Sequence, residues 1–195
     1  MSSSTIQTLK VAVGDRDFTT TAEVNHVDVP VWRVVYHNQF SGSSLHNDIA
    51  LLVLPSKIAF NSGVAPVCLP SNTRESYVGQ RCIVAGWGSL SEGGSTTTTL
   101  REVEVPILDN AACQQKYGGS APGGIIPGMI CAGEPQRDAC TGDSGGPLVC
   151  CNSGKCDQVG VVSWGIGCGH PKYPGVYTRV SHYMDWITKN LAVTP

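Results

Sequence analysis

Residues 137–147 read Arg-Asp-Ala-Cys-Thr-Gly-Asp-Ser-Gly-Gly-Pro, which sets Ser144 in a glycine-walled turn with Asp143 beside it and Asp138 six positions upstream. Glycines on both sides allow a sharp bend that leaves a hydroxyl unshielded. They also let the amides of Gly142 and Ser144 converge on the oxygen of an attacked carbonyl. The chemistry this arrangement suits is acyl transfer, with Ser144 as nucleophile and the Gly142 and Ser144 amides as an oxyanion hole.

A serine of this kind needs a histidine and an acid, and their chain order separates two folds. The Gly-x-Ser-x-Gly turn of the α/β-hydrolases requires serine, then acid, then histidine, on a sheet alternating with helices. Downstream of Ser144 lie Asp157, Asp185, His170 and His182, in glycine-rich chain with one short helical candidate, so the alternation is missing. The opposite order, histidine, acid, serine, is served by Asp48, which opens the apolar run Ile-Ala-Leu-Leu-Val-Leu at 49–54. That order admits His26, His37 and His46 as bases, and each reads instead as a solvated loop histidine.

Further blocks follow in register: Asn-Asp-Ile-Ala-Leu-Leu at 47–52, Pro-Val-Cys-Leu-Pro at 66–70, Cys-Ile-Val-Ala-Gly-Trp-Gly at 82–88, Met-Ile-Cys-Ala-Gly at 129–133, Val-Ser-Trp-Gly at 162–165 and Pro-Gly-Val-Tyr-Thr at 174–178. Together with the Ser144 turn they resemble the trypsin/chymotrypsin family of serine peptidases over residues 11–191. The resemblance implies an all-β fold of two Greek-key barrels, with Asp48 and Ser144 catalytic and Asp138 at the base of a specificity pocket. Gly165 and Gly175 would line its walls, and Ser163, Trp164 and Gly165 would pair with substrate backbone. A carboxylate in an apolar slot is costly without a counter-charge, so the implied substrates are polypeptides cut after Arg or Lys. The other implied partners are protein protease inhibitors, and no cofactor or metal is implied. Pro174 resembles members without a sodium site, and the 15–23 loop diverges from a calcium site.

Two family features are absent. No histidine is followed by cysteine in an Ala-Ala-His-Cys block, and there is no Ile-Val-Gly-Gly terminus to pair with Asp143. The run Leu-Lys-Val-Ala-Val-Gly-Asp at 9–15 resembles the strand after that histidine. The expectation is a sequence that starts past its base, as a fragment or truncated form, with a non-catalytic homologue acting as a binding module as the alternative. Residues 1–10 also lack the apolar core of a signal peptide.

Two β-barrels are expected to carry these residues. Residues 1–76 hold a remnant of a first barrel, with strands at 29–35 and 49–54, and a linker near 71–77. Residues 77–195 hold a complete second barrel, with strands at 81–86, 103–107, 147–151, 160–164 and 175–180, and a closing helix at 183–191, apolar at Met184, Ile187 and Leu191. The polar 89–99 loop is expected to be mobile. With 195 residues, 41% apolar content, 14% charged content and a net charge of −2, the chain has the material for a core and no basic footprint for nucleic acid. No apolar run reaches membrane-spanning length.

Nine cysteines point to an oxidising, extracellular compartment. The family pattern implies Cys82 with Cys150, Cys113 with Cys131, and Cys140 with Cys168, each worth roughly 3 to 4.5 kcal/mol. Cys151 and Cys156 are placed to close a hairpin around 152–155, which leaves Cys68 odd.

Overall fold

The computed structural model describes residues 8–20, 26–71 and 76–191. The expected linker at 71–77 and the polar start of the chain lie largely outside them. The fold is mostly β, with ten strands and two short helices among the described residues. β1 (Lys10–Val13) pairs antiparallel with β2 (Val27–Pro30), and β3 (Arg33–Tyr36) with β4 (Ala50–Val53). The remaining strands are β5 (Arg81–Gly86), β6 (Arg101–Leu108), β7 (Met129–Ala132), β8 (Pro147–Asn152), β9 (Lys155–Trp164) and β10 (Gly175–Arg179). They close into a barrel in the order β10-β7-β6-β5-β8-β9.

The barrel follows from period-two burial. On β5 the side chains of Cys82 and Val84 turn inward, as do Val105 and Ile107 on β6, and they meet Ile130, Leu148, Val159 and Tyr177 in one core. Gly160 lies where β9 crosses Leu148 and Tyr177; a Cβ there would stand 3.1 Å from both side chains. Between β8 and β9 the turn residues Ser153 and Gly154 both have positive φ, 50° and 83°, as a two-residue hairpin requires. Disulfides join Cys82–Cys150, Cys113–Cys131, Cys140–Cys168 and Cys151–Cys156, and Cys68 is an exposed free thiol.

The structure departs from the sequence reading in five places, the first being β7, a sixth barrel strand where five were expected. The expected strand at 29–35 is two strands in different sheets. Pro30 ends β2; Val31 N then donates to Leu9 O and Trp32 N to Val53 O, so the chain changes partner there. A helix the sequence reading lacks, α1 (Asn110–Tyr117), follows β6, capped by the Asp109 carboxylate on Ala111 N at 2.8 Å. The closing helix α2 spans Met184–Leu191 after a 3-10 turn at Val180–Tyr183; its Ile187 is buried, but Leu191 is 61% exposed. The 89–99 loop, expected to be mobile, is pinned: Ser89 Oγ donates to Gly94 O at 2.6 Å, Thr97 N to Trp87 O at 2.9 Å and Thr99 Oγ1 to Asp17 Oδ2 at 3.0 Å.

The first half carries much exposed apolar surface, including Trp32 (46%), Tyr36 (66%), Leu52 (47%) and Phe60 (65%). It is anchored to the barrel by Ile49, which is buried with Val180, Tyr183 and Ile187. Among the described residues no helix is long and apolar enough to cross a membrane.

Candidate active site

Asp48 enters the site from the turn before β4. Its backbone carbonyl accepts from Thr178 Oγ1 at 2.6 Å, and the preceding Asn47 side chain accepts from Tyr183 Oη at 3.0 Å. Its carboxylate, half-buried, accepts from Ser163 Oγ at 2.7 Å. Ser163, expected from the sequence only to pair with substrate backbone, thus also aims the Asp48 carboxylate. A contact between residues 115 positions apart leaves no local sequence signal.

Ser144 is exposed, on a turn held by Gly146 N donating to Asp143 O at 2.8 Å and Gly145 N donating to Val162 O at 2.9 Å. Gly142 has φ +98° and Gly145 φ +83°, and a Cβ on Gly146 would stand 2.8 Å from Asp143 O, so these three positions disfavour a side chain. Among the described residues neither the Gly142 nor the Ser144 amide is taken by an acceptor, which leaves both donors available. Asp143 turns away from Ser144: Oδ1 accepts from Gly88 N at 2.8 Å and Oδ2 from Cys140 N at 2.9 Å. A Cβ on Gly86 or Gly88 would fall on this carboxylate, so two glycines make its room. A cavity of about 350 Å³ lies beside Asp143, lined also by Leu90, Glu92, Arg101 and Gln136.

A second cavity, of about 160 Å³, gathers Asp138, Ser144, Ser163, Trp164, Gly165 and Gly175. Its walls approach closely: a Cβ on Gly165 would be 3.9 Å from Gly175 Cα. Asp138 accepts from Ala139 N at 2.8 Å (Oδ1) and from Gly169 N at 3.2 Å (Oδ2). Burial outweighs these amides and pushes its pKa from 3.8 up to about 6. Burial, reinforced by the Asp138 charge, likewise raises the hydroxyls of Tyr177 and Tyr117. Tyr117 donates its proton to Pro174 O and stands edge-on to Trp164 at 5.0 Å, bracing the segment that ends in Gly175. The Cys140–Cys168 disulfide ties the Ser144 loop to the opposite wall. Gly142 does not line this cavity.

The five histidines all lie within the described residues, and each is engaged away from Asp48. His26 pairs with Asp15 at 3.0 Å; His37 packs on Tyr183 and Trp186; His46 Nε2 lies 3.2 Å from Gly123 O. His170 accepts from Lys172 N at 3.0 Å, and His182 stands edge-on to Tyr183. Among the described residues no group of three or more His, Cys, Asp or Glu is arranged to hold a metal.

The chain is similar in sequence to known proteins along most of its length. The Trypsin family profile matches residues 2–187. Trypsin-1 of Astacus astacus is 41% identical over 184 residues, which is 93% of this chain and 75% of that protein. The vitellin-degrading protease of Bombyx mori is 42% identical over 160 residues, 81% of this chain and 58% of that protein. Serine protease 56 of Mus musculus is 40% identical over 173 residues, 86% of this chain but only 28% of that protein. With its barrel, its disulfides and its serine turn, the chain belongs to the trypsin family of serine endopeptidases.

Proposed function

We propose that this chain carries the nucleophile and the specificity pocket of a trypsin-like endopeptidase that hydrolyses peptide bonds after Arg or Lys. The observation that carries the reading is Asp138, a part-buried carboxylate without a cation, in the same 160 Å³ cavity that Ser144 lines. A guanidinium or ammonium entering there repays the desolvation of the acid, whereas a neutral side chain leaves it uncompensated. In the reaction Ser144 Oγ attacks the carbonyl carbon and gives its proton to a histidine held by Asp48. The Gly142 and Ser144 amides hold the oxyanion, and the histidine returns the proton to the leaving amine. Extended substrates, and protein inhibitors presenting the same backbone, would lie along residues 163–165. Four disulfides support an extracellular setting.

Among the described residues no histidine is hydrogen-bonded to Asp48, and each has other neighbours, which supports a base other than these five. That same observation favours the alternative of a non-catalytic homologue that keeps the pocket for binding. Labelling of the 195-residue chain with a fluorophosphonate tests the placement of the base. Loss of one member of such a unit lowers turnover on the order of 10⁶-fold, so Ser144 should remain essentially unlabelled. Strong labelling that vanishes in Ser144→Ala would show that one of these histidines serves after all.

A further inference from the structure

Between β5 and β6 the chain turns at residues 91–94, where Gly94 N donates to Ser91 O at 3.0 Å and Gly93 takes φ +72°. The turn presents Glu92. A Cβ built on Gly167 would stand 2.9 Å from Glu92 Oε2 and 3.6 Å from Oε1, so the carboxylate lies directly against the Gly167 backbone. Gly167 belongs to the wall of the Asp138 cavity. Among the described residues Glu92 has neither a hydrogen-bond donor nor a cation as partner, although it is exposed. The neighbouring cavity adds Asp143 and the adjacent pair Arg101 and Glu102, whose charges oppose one another. Three carboxylates, Glu92, Asp138 and Asp143, therefore set the local sign.

We propose that Glu92 is a rim carboxylate that strengthens binding of cationic side chains in the Asp138 pocket, and so determines specificity alongside Asp138. The proposal rests on the reading of Asp138 as the cation's partner. A pocket of one sign with low-dielectric walls concentrates its field at the mouth and draws in opposite charge. Glu92 is exposed, so its contribution is modest and salt-dependent, whereas that of Asp138 is larger and persists in salt. Neutral ligands of the same shape gain nothing from it.

The test is fluorescence titration of the 195-residue chain with p-aminobenzamidine, which needs no catalytic base, with benzamide competition as the uncharged control. Glu92→Gln should weaken binding about threefold at low salt, and Glu92→Lys about tenfold. At about 1 M salt, where the screening length is about 3 Å, all three proteins should converge. Benzamide, which brings no counter-charge to Asp138, should compete only weakly and equally with all three, and Asp138→Asn should abolish p-aminobenzamidine binding at either salt. If Glu92→Gln and Glu92→Lys bind p-aminobenzamidine like the parent at low salt while Asp138→Asn does not, the rim role is overturned and the pocket reading stands. If Asp138→Asn binds normally, or the parent does not bind at all, the pocket reading itself fails. A loss that persists in high salt, or extends to benzamide, would mark a structural rather than electrostatic role for Glu92 and also overturn the proposal.

Discussion

Gly175→Ala should damage both the fold and the pocket, and its magnitude can be worked from the neighbours. A Cβ at this position would fall on Asp138 Oδ1 and come within 3.1 Å of Tyr177 Cε2 and 3.2 Å of Ala132 O. Neither of the last two can retreat. Ala132 is the ladder partner of Gly175 on β7, and Tyr177 is fully buried in the barrel core. Relief must come from Asp138, which is tied to the Ala139 and Gly169 amides. Overpacking of this kind costs about 1–3 kcal/mol, which at this chain length lowers Tm by about 2–4 °C for each kcal/mol. Gly165→Ala is the matched control. Its Cβ would meet Gly167 O at 3.7 Å and Gly175 Cα at 3.9 Å, both ordinary contacts, so stability should change by less than about 0.5 kcal/mol. The new methyl nevertheless narrows the cavity. The assay is thermal melting followed by p-aminobenzamidine titration of both variants. Gly175→Ala should lose stability and binding together, and Gly165→Ala binding alone. A Gly175→Ala protein that melts and binds like the parent would refute the reasoning.

Cation binding should also follow the ionisation of Asp138, which burial raises to about 6. Below that value the Kd for p-aminobenzamidine should rise about tenfold per pH unit, measured by titration across the acid range. For folding the sign is opposite: a carboxyl raised from 3.8 to about 6 contributes stability below 3.8 that is lost as pH rises through about 6, on the order of 3 kcal/mol in this group's share. Asp109→Ala removes the cap on Ala111 N and should cost about 1 kcal/mol, read by denaturant melting with the Cys113–Cys131 disulfide intact. Maleimide should modify the native protein at one site without reductant, and Cys68→Ser should abolish that reaction; a second reactive thiol would contradict the four-disulfide pattern.

What was legible in the sequence was whatever repeats at short range. Alternation at Val103, Val105 and Ile107 and the run 81–86 mark strands because the pleat buries every second side chain. The serine turn was readable because its glycines are needed where φ is positive, as at Gly142 and Gly145. α1 escaped because Asn-Ala-Ala-Cys-Gln-Gln-Lys-Tyr offers only Cys113 and Tyr117 as a buried pair. Asp109 before it and Gly118 after it are the cap signals that could have located it. The split at Val31 and Trp32 was missed because the valines of both strands read as one segment, although Pro30 is the signal that ends the first and the change of partner confirms it. The 89–99 loop looked mobile from its composition, yet hydrogen bonds to Asp17 and Trp87 hold it. Contacts such as Ser163 to Asp48 depend on the closed barrel and on Ile49 docking against it, which no local pattern encodes.

Ser144 and Asp138 are proposed to act together on peptide bonds that follow a basic residue. This joint action is tested most directly by joining this chain behind a family segment that supplies an Ile-Val-Gly-Gly terminus and an Ala-Ala-His-Cys block, then mapping cleavage of a mixed peptide library by mass spectrometry. Cuts are expected after Arg and Lys, abolished by Ser144→Ala and redirected away from basic residues by Asp138→Ser. Equal cutting after Leu or Phe by the parent, or unchanged Arg and Lys preference in Asp138→Ser, would contradict it.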